Sequence, residues 1–264
     1  MYGLPRRKEK SVLNSDGHLA AVILAAGEGK RMKSSIPKVL HRLRGKPLLS
    51  YVIDAAIDVH ADPIVVIASP RASEIGRFAS ERRTLVAIQP EPRGTGDAVR
   101  WAQPYLEAFR GDILILCGDA PLITGRLLKT LTRIHRETHA EATILTAELD
   151  DAMGYGRIVR NEAGNVVRIV EQADATAEET AIREVNTGAY CFNPSVLFQT
   201  LGALNTNNAQ GEFYLTDVIG TLVRRRATVR AFSMGRPRAP LGINTQRDLE
   251  ETARALNLVN GDLQ

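Results

Sequence analysis

Only two cysteines, Cys117 and Cys191, occur in the 264 residues, each inside an apolar run. Thiols so few and so placed make neither a disulfide framework nor a thiolate metal site, and read as reduced core residues of a cytosolic protein. No apolar stretch reaches bilayer length, since the run from Leu19 to Ala26 is too short to span. That run is not a signal peptide either. Asn14-Ser15-Asp16-Gly17-His18 separates it from the basic residues Arg6, Arg7, Lys8 and Lys10, and it ends in a charged loop instead of a small-residue cleavage site. Internal repeats and low-complexity tracts are missing. So is any nucleophile–base motif around the histidines His18, His41, His60, His135 and His139. A net charge of +4, concentrated in the N-terminal basic run, is no argument for a nucleic-acid partner. What remains is an ordinary globular composition, 44% hydrophobic, with enough chain for a sizeable core.

The two commonest phosphate loops are also lacking. No Gly-Lys-Ser/Thr tripeptide occurs, which excludes a P-loop, and Met32 stands where a dinucleotide fingerprint needs its third glycine. Yet the stretch Leu24-Ala25-Ala26-Gly27-Glu28-Gly29-Lys30-Arg31-Met32 has the makings of a polyphosphate site. An apolar strand over Ala20–Ala26 runs directly into two glycines, whose backbone can take positive φ and bring bare N–H groups against a ligand. Lys30, Arg31, Lys33 and Lys38 surround the same loop with positive charge.

From residue 20 onward strand and helix signals alternate. Helical spacing over Leu48–Ile57, Glu74–Phe78, Ala98–Phe109 and Thr124–His135, the last capped by Thr124, separates strand-like runs at Pro63–Ala68, Leu85–Ile88, Asp112–Cys117 and Ala142–Ala147. Strands joined by helical crossovers lie parallel and are covered on both faces, so the pattern predicts an α/β, doubly wound, mostly parallel sheet of Rossmann-like form. Ligands in such sheets bind beyond the carboxyl ends of the strands, where the loops at Gly27 and after Cys117 both emerge. After Asp150 the texture changes. Gly156–Arg160, Val166–Glu171 and Val185–Phe192 are β-like without intervening helices of comparable length, which predicts a small antiparallel insertion on the acceptor side of the site. Helix signals return at Pro194–Leu204 and Leu215–Arg224, then a strand at Val229–Phe232, and a last helix opens at Thr245 with Asp248 as its capping partner. The expected organisation is an N-terminal leader over 1–19 and one domain over 20–264.

The glycine loop with its Arg31-Met32 and Pro37-Lys38 pairs resembles the signature of sugar nucleotidyltransferases, which join a nucleoside triphosphate to a sugar 1-phosphate. Further along come Gln89, Gly94-Thr95-Gly96, Cys117-Gly118-Asp119, Gly154-Tyr155-Gly156-Arg157, Ile169-Val170-Glu171, Glu184-Val185-Asn186-Thr187-Gly188, the run Asn207 to Asp217 and Gly242-Ile243-Asn244. This ordered set, from Ala20 to about Leu256, resembles the N-acetylglucosamine-1-phosphate uridyltransferase family. The resemblance implies transfer of UMP from UTP to N-acetylglucosamine 1-phosphate, in cytoplasmic UDP-N-acetylglucosamine synthesis for the cell wall, with neither nucleic acid nor membrane as partner. It implies that Arg31 and Lys38 are catalytic, that Leu24, Ala25, Ala26, Gly27, Gln89, Gly94 and Thr95 bind the nucleotide, that Gly156, Glu171 and Asn186 contact the sugar, and that Asp119 and Asn244 hold Mg²⁺. An amide side chain at Gln89 offers both donor and acceptor to a pyrimidine.

Two departures stand out. Pro92 occupies a position that is usually polar in that family, and no hexapeptide repeats follow Gln264, so the acetyltransferase β-helix domain of the bifunctional members is expected to be absent. Two other readings stay open: a nucleotidyltransferase for another sugar 1-phosphate or nucleotide, and a non-catalytic sugar-nucleotide sensor. Retention of Arg31, Lys38, Asp119 and Asn244 favours the enzyme.

Overall fold

The computed structural model describes residues 18–261. The expected leader therefore lies, but for its last two residues, outside the described part; of those two, Leu19 opens the first strand. That strand, β1 (Leu19–Leu24), leads to a two-strand hairpin, β2 (Arg42–Leu43) and β3 (Lys46–Pro47), and then to α1 (Leu48–Asp58), β4 (Ile64–Ala68), α2 (Ser73–Glu81) and β5 (Leu85–Ile88). Helices α3 (Thr95–Arg100) and α4 (Gln103–Leu106) precede β6 (Asp112–Cys117), α5 (Gly125–Glu137) and β7 (Ala142–Glu148). The hairpin β8 (Arg157–Arg160) and β9 (Val166–Val170) is followed by α6 (Ala177–Thr180), β10 (Glu184–Phe192), α7 (Pro194–Gly202), α8 (Asp217–Arg224), β11 (Val229–Ser233) and α9 (Gln246–Gly261).

The main sheet runs β11-β7-β10-β6-β1-β4-β5, with β8 paired to β10 and β9 paired to β8. Strands β1, β4, β5 and β6 are parallel neighbours, as are β7 and β11. In β1 the side chains alternate faces: Ala21 and Ile23 join the core beneath α1, α2 and α5, while Ala20 and Val22 join the core beneath α3, α7 and α8. A strand buried on both faces must be apolar throughout, which is why Leu19–Leu24 has no polar residue.

Two expectations need correction. The single helix over Ala98–Phe109 is instead α3 and α4, which meet at a turn through Trp101 and Ala102, with Pro104 in the first turn of the second helix. Proline lacks the N–H that a continuous helix would use there, so it suits a new start and not a helix interior. Val185–Phe192 is not part of the insertion, which is β8 and β9 alone. It lies in β10, antiparallel between β6 and β7 in the middle of the main sheet. Its second half, Ala189–Phe192, is buried at every residue, as an interior strand requires, while a bulge between Asn186 and Ala189 turns its first half toward β8.

Helix α9 returns to the first half of the chain. Leu249, Ala253 and Leu256 pack on Leu43, Leu48 and Ile243. The Thr245–Asp248 cap forms in both directions, Asp248 N–H donating to Thr245 Oγ1 at 3.1 Å and Thr245 N–H to Asp248 Oδ2 at 2.8 Å. Among the described residues no helix is long and apolar enough to cross a membrane.

Candidate active site

β1 ends at the sheet edge where a chain leaving a parallel strand must turn. Ala25 N–H takes a last ladder bond to Ile67 O at 2.9 Å, and Ala26 and Gly27 then face a cavity of about 580 Å³. A side-chain carbon at Gly27 would meet nothing within 4 Å, so the bare backbone lies open to the cavity. Gly29 does different work. It sits at φ 62°, and a Cβ there would lie 2.6 Å from Lys38 Cβ, so only glycine lets Lys38 pack against the loop. Of the loop cations, Lys30 is drawn off by Glu28 at 2.7 Å.

Lys38 reaches across the mouth of β6. Its ammonium pairs with Asp119 Oδ2 and donates to Asn244 Oδ1 at 3.1 Å, while Arg31 Nη2 donates to the same Asn244 Oδ1 at 3.0 Å. The Lys38 and Asp119 side chains are only 16% and 14% exposed, which strengthens their attraction over that of a solvated pair. Asn244 is fixed from behind: its N–H donates to Asp248 Oδ2 at 2.8 Å, so the carboxylate that caps α9 also sets this loop. Ile243 N–H donates to Asp119 O at 2.9 Å, tying the loop to the end of β6. The expected catalytic cations and the expected metal ligands thus form one cluster, although 206 positions separate Lys38 from Asn244.

On the far wall stand Gln89, Gly94 and Thr95. Gly94 adopts φ 106° and backs onto Phe213, whose carbonyl oxygen would lie 2.6 Å from any Cβ added there. Gly96 N–H donates to Phe213 O at 2.7 Å, Phe213 N–H to Arg93 O at 2.9 Å, and Leu215 N–H to Thr95 Oγ1 at 3.0 Å. The guanidinium groups of Arg93 and Arg100 lie over the Phe213 ring, 5.2 and 4.4 Å from its centre. Gln89 corrects the sequence reading. Its Nε2 donates to Asp97 Oδ2 at 2.9 Å and to Gly94 O at 3.2 Å, so both amide hydrogens are committed within the protein. Only Oε1 remains, an acceptor and not the expected donor–acceptor pair.

Gly156, Glu171 and Asn186 come together on the insertion side. Asn186 N–H donates to Gly156 O at 2.9 Å, and a Cβ on Gly156 would sit 3.4 Å from Glu171 Oε2. These three do not line the 580 Å³ cavity. Glu171 instead opens on a second one of about 480 Å³, with Asp174, Tyr214 and Thr216. Burial pushes the Glu171 carboxyl up, opposed by the Thr216 hydroxyl that donates to Oε1 at 2.8 Å. Asn186 is held by neutral bonds, Nδ2 to Tyr190 Oη at 2.6 Å and Gly188 N–H to Oδ1 at 3.0 Å.

Three residues of the neighbourhood escaped the sequence reading. Asp97 has the appearance of an ordinary acid in a helical first turn. Thr216 is one residue of a longer motif with nothing in the sequence to single it out. Cys117 reads as a core thiol in the sequence, yet it touches the cavity, with its thiol pushed up to about 12 by burial, so it is no nucleophile. Among the described residues no group of three or more His, Cys, Asp or Glu side chains converges on a metal position.

Residues 20–236 match the model of the nucleotidyl transferase family. The chain is 48% identical over 238 residues to the bifunctional protein GlmU of Pelotomaculum thermopropionicum, covering 90% of this chain and 52% of that protein. Against the bifunctional protein GlmU of Pelobacter propionicus it is 42% identical over 248 residues, 93% of this chain and 54% of the relative. It therefore spans about half the length of these relatives. A glycine-rich turn after the first strand, two cations and an acid at the carboxyl ends of parallel strands, and this match over most of its length agree: the chain belongs to the nucleotidyl transferase family.

Proposed function

We propose that the protein transfers UMP from UTP to N-acetylglucosamine 1-phosphate, giving UDP-N-acetylglucosamine and pyrophosphate. The observation that carries this reading is the cluster of Lys38, Arg31, Asp119 and Asn244 at one end of a cavity whose other wall holds Gln89 and Gly94. A phosphate monoester is mostly dianionic at neutral pH, with its second pKa near ~6, so its oxygen attacks the α-phosphorus without a general base. A bond forms between that oxygen and the phosphorus, the bond to the β-phosphate oxygen breaks, and pyrophosphate leaves with the electron pair. Chemistry of this kind rests on alignment and charge neutralisation. Backbone N–H groups of Ala26 and Gly27 and the cations Lys38 and Arg31 supply both, the Ala25 N–H being already committed to Ile67 O.

Asp119 and Asn244 suit a hard oxygen-seeking ion, because one carboxylate and one amide oxygen already converge on a cation, the Lys38 ammonium. Mg²⁺ bound there with nucleotide phosphates would neutralise further phosphate charge. Phosphates that draw both the Lys38 ammonium and the Arg31 guanidinium to themselves leave both oxygens free for that role. On the sugar side we assign Gly156, Glu171 and Asn186, with the Glu171 carboxylate accepting from a sugar hydroxyl. Reduced core thiols and an apolar run too short for a bilayer support a cytosolic setting. The test is pyrophosphate release over a matrix of UTP, dTTP and CTP against N-acetylglucosamine 1-phosphate and glucose 1-phosphate. The expected outcome is a dominant rate for UTP with the N-acetylated sugar; a different dominant pair overturns the substrate assignment.

A further inference from the structure

Asp97 faces into the protein beside Gln89 and is only 8% exposed, while Gln89 is 5% exposed. Neither belongs to the cation cluster. The Gly94 carbonyl can only accept, and so can an ionised carboxylate, so the amide nitrogen of Gln89 must face both. The amide oxygen is thereby turned the other way. It accepts no bond among the described residues, yet it is not one of the buried unpaired atoms, so it meets the open cavity that Gln89 lines.

We propose that Asp97 is a specificity-determining positioning residue: its carboxylate holds the Gln89 amide in the one orientation that presents an acceptor to the base. The inference rests on the nucleotide reading above and adds a residue to it. Uracil and thymine carry N–H at ring position 3, whereas cytosine carries a lone pair there. An amide oxygen facing that position bonds the first two and repels the third; a flipped amide does the reverse. The Gly94 bond alone, at 3.2 Å, is the longer and neutral one of the two. The Asp97 bond, at 2.9 Å and charge-assisted, carries most of the preference between the two orientations.

The measurement is equilibrium binding of UTP and of CTP in the presence of Mg²⁺, which needs no turnover. Asp97→Ala should weaken UTP and narrow the UTP-to-CTP affinity ratio about tenfold, the usual worth of one buried bond to a charged group. Asp97→Asn keeps an oxygen that accepts from Gln89, so it should hold the ratio within about threefold of wild type. In a Gln89→Ala background Asp97→Ala should change the ratio no further, because the group it orients is gone. Should the melting temperature show that Asp97→Ala does not fold, Asp97→Leu fills the volume without an acceptor and is read in its place. An unchanged ratio in the folded variant, equal weakening of both nucleotides, or no preference in wild type overturns the proposal. A preference for UTP without turnover of N-acetylglucosamine 1-phosphate overturns the proposed function and leaves Asp97's role standing.

Discussion

At the glycine-loop end the charged groups hold one another, Lys38 on Asp119 and both cations on Asn244, whereas at the β8–β9 end Glu171 and Asn186 are held by hydroxyls and backbone N–H groups. The first arrangement stores charge for use against phosphates. The second is held through neutral partners and lays out partly buried acceptors and donors of the kind that discriminate among sugars. One segment touches both: Phe213 and Leu215 staple the Gly94–Gly96 turn, and Thr216 in the same stretch holds Glu171. The comparison implies that losses at the charged end should fall on turnover, and losses at the neutral end on selectivity.

The sharpest way to break that division is Asp119→Asn. It keeps size and hydrogen bonding but removes the acidic partner of Lys38, so turnover should be nearly abolished, by about 10³ or more, with little change in melting temperature. Retention of normal Mg²⁺-dependent activity would show that the charge here is structural. Next in size, Lys38→Ala and Arg31→Ala should each lower turnover by about 10² while the fold stays intact, with Lys38 the larger because it is the more buried of the two. Near-normal rates in single-turnover assays would reduce both to a solvated basic face.

The neutral end should respond differently. A site that hydrogen-bonds an amide leaves its own groups unpaired when the amide is missing, so glucose 1-phosphate should react about 10² times more slowly than the N-acetylated sugar. Thr216→Val removes the hydroxyl that holds Glu171 and should cut that preference several-fold while leaving the KM for UTP within about twofold. If Thr216→Val instead raised the KM for UTP most, the two ends would be one unit coupled through residues 213–216.

Much of this architecture is legible in the sequence because a parallel sheet writes itself as uninterrupted apolar runs between helices, as at residues 113–117 and Ile64–Ala68. The α9 cap is equally local. Strand β10 was harder to read. Its first half alternates like a strand with one wet face, and nothing within the chain segment says that its neighbours are β6 and β7. The site was visible as motifs, yet the Lys38–Asp119–Asn244 cluster depends on α9 packing back onto Leu43 and Leu48, which is a property of tertiary packing. Asp97 escaped because a buried acid and a solvated one look identical in a helical first turn. That Gln89 commits both amide hydrogens becomes visible only in the fold.

The smallest expected effect lies far from either end and serves as a control on both. His135 is 3% exposed on α5, with Nδ1 2.9 Å from Thr143 Oγ1 and Nε2 3.6 Å from Asp112 Oδ1; Arg136 beside it also engages Asp112. Burial holds its pKa below the ordinary histidine value, Asp112 opposes that shift, and Arg136 reinforces it. The folded protein therefore binds this proton less readily than the unfolded chain does. Stability from this site is complete above the unfolded histidine value, near ~6.5, and is lost as pH falls through it toward the lower folded value. Melting temperatures at pH 7.5 and pH 5.5 should differ more in wild type than in His135→Gln, which cannot take up the proton. Activity at neutral pH should be the same in both. A variant with the full wild-type pH dependence would assign the acid sensitivity to other groups, and one that lost activity at neutral pH would show that this end of the sheet is not independent of the site.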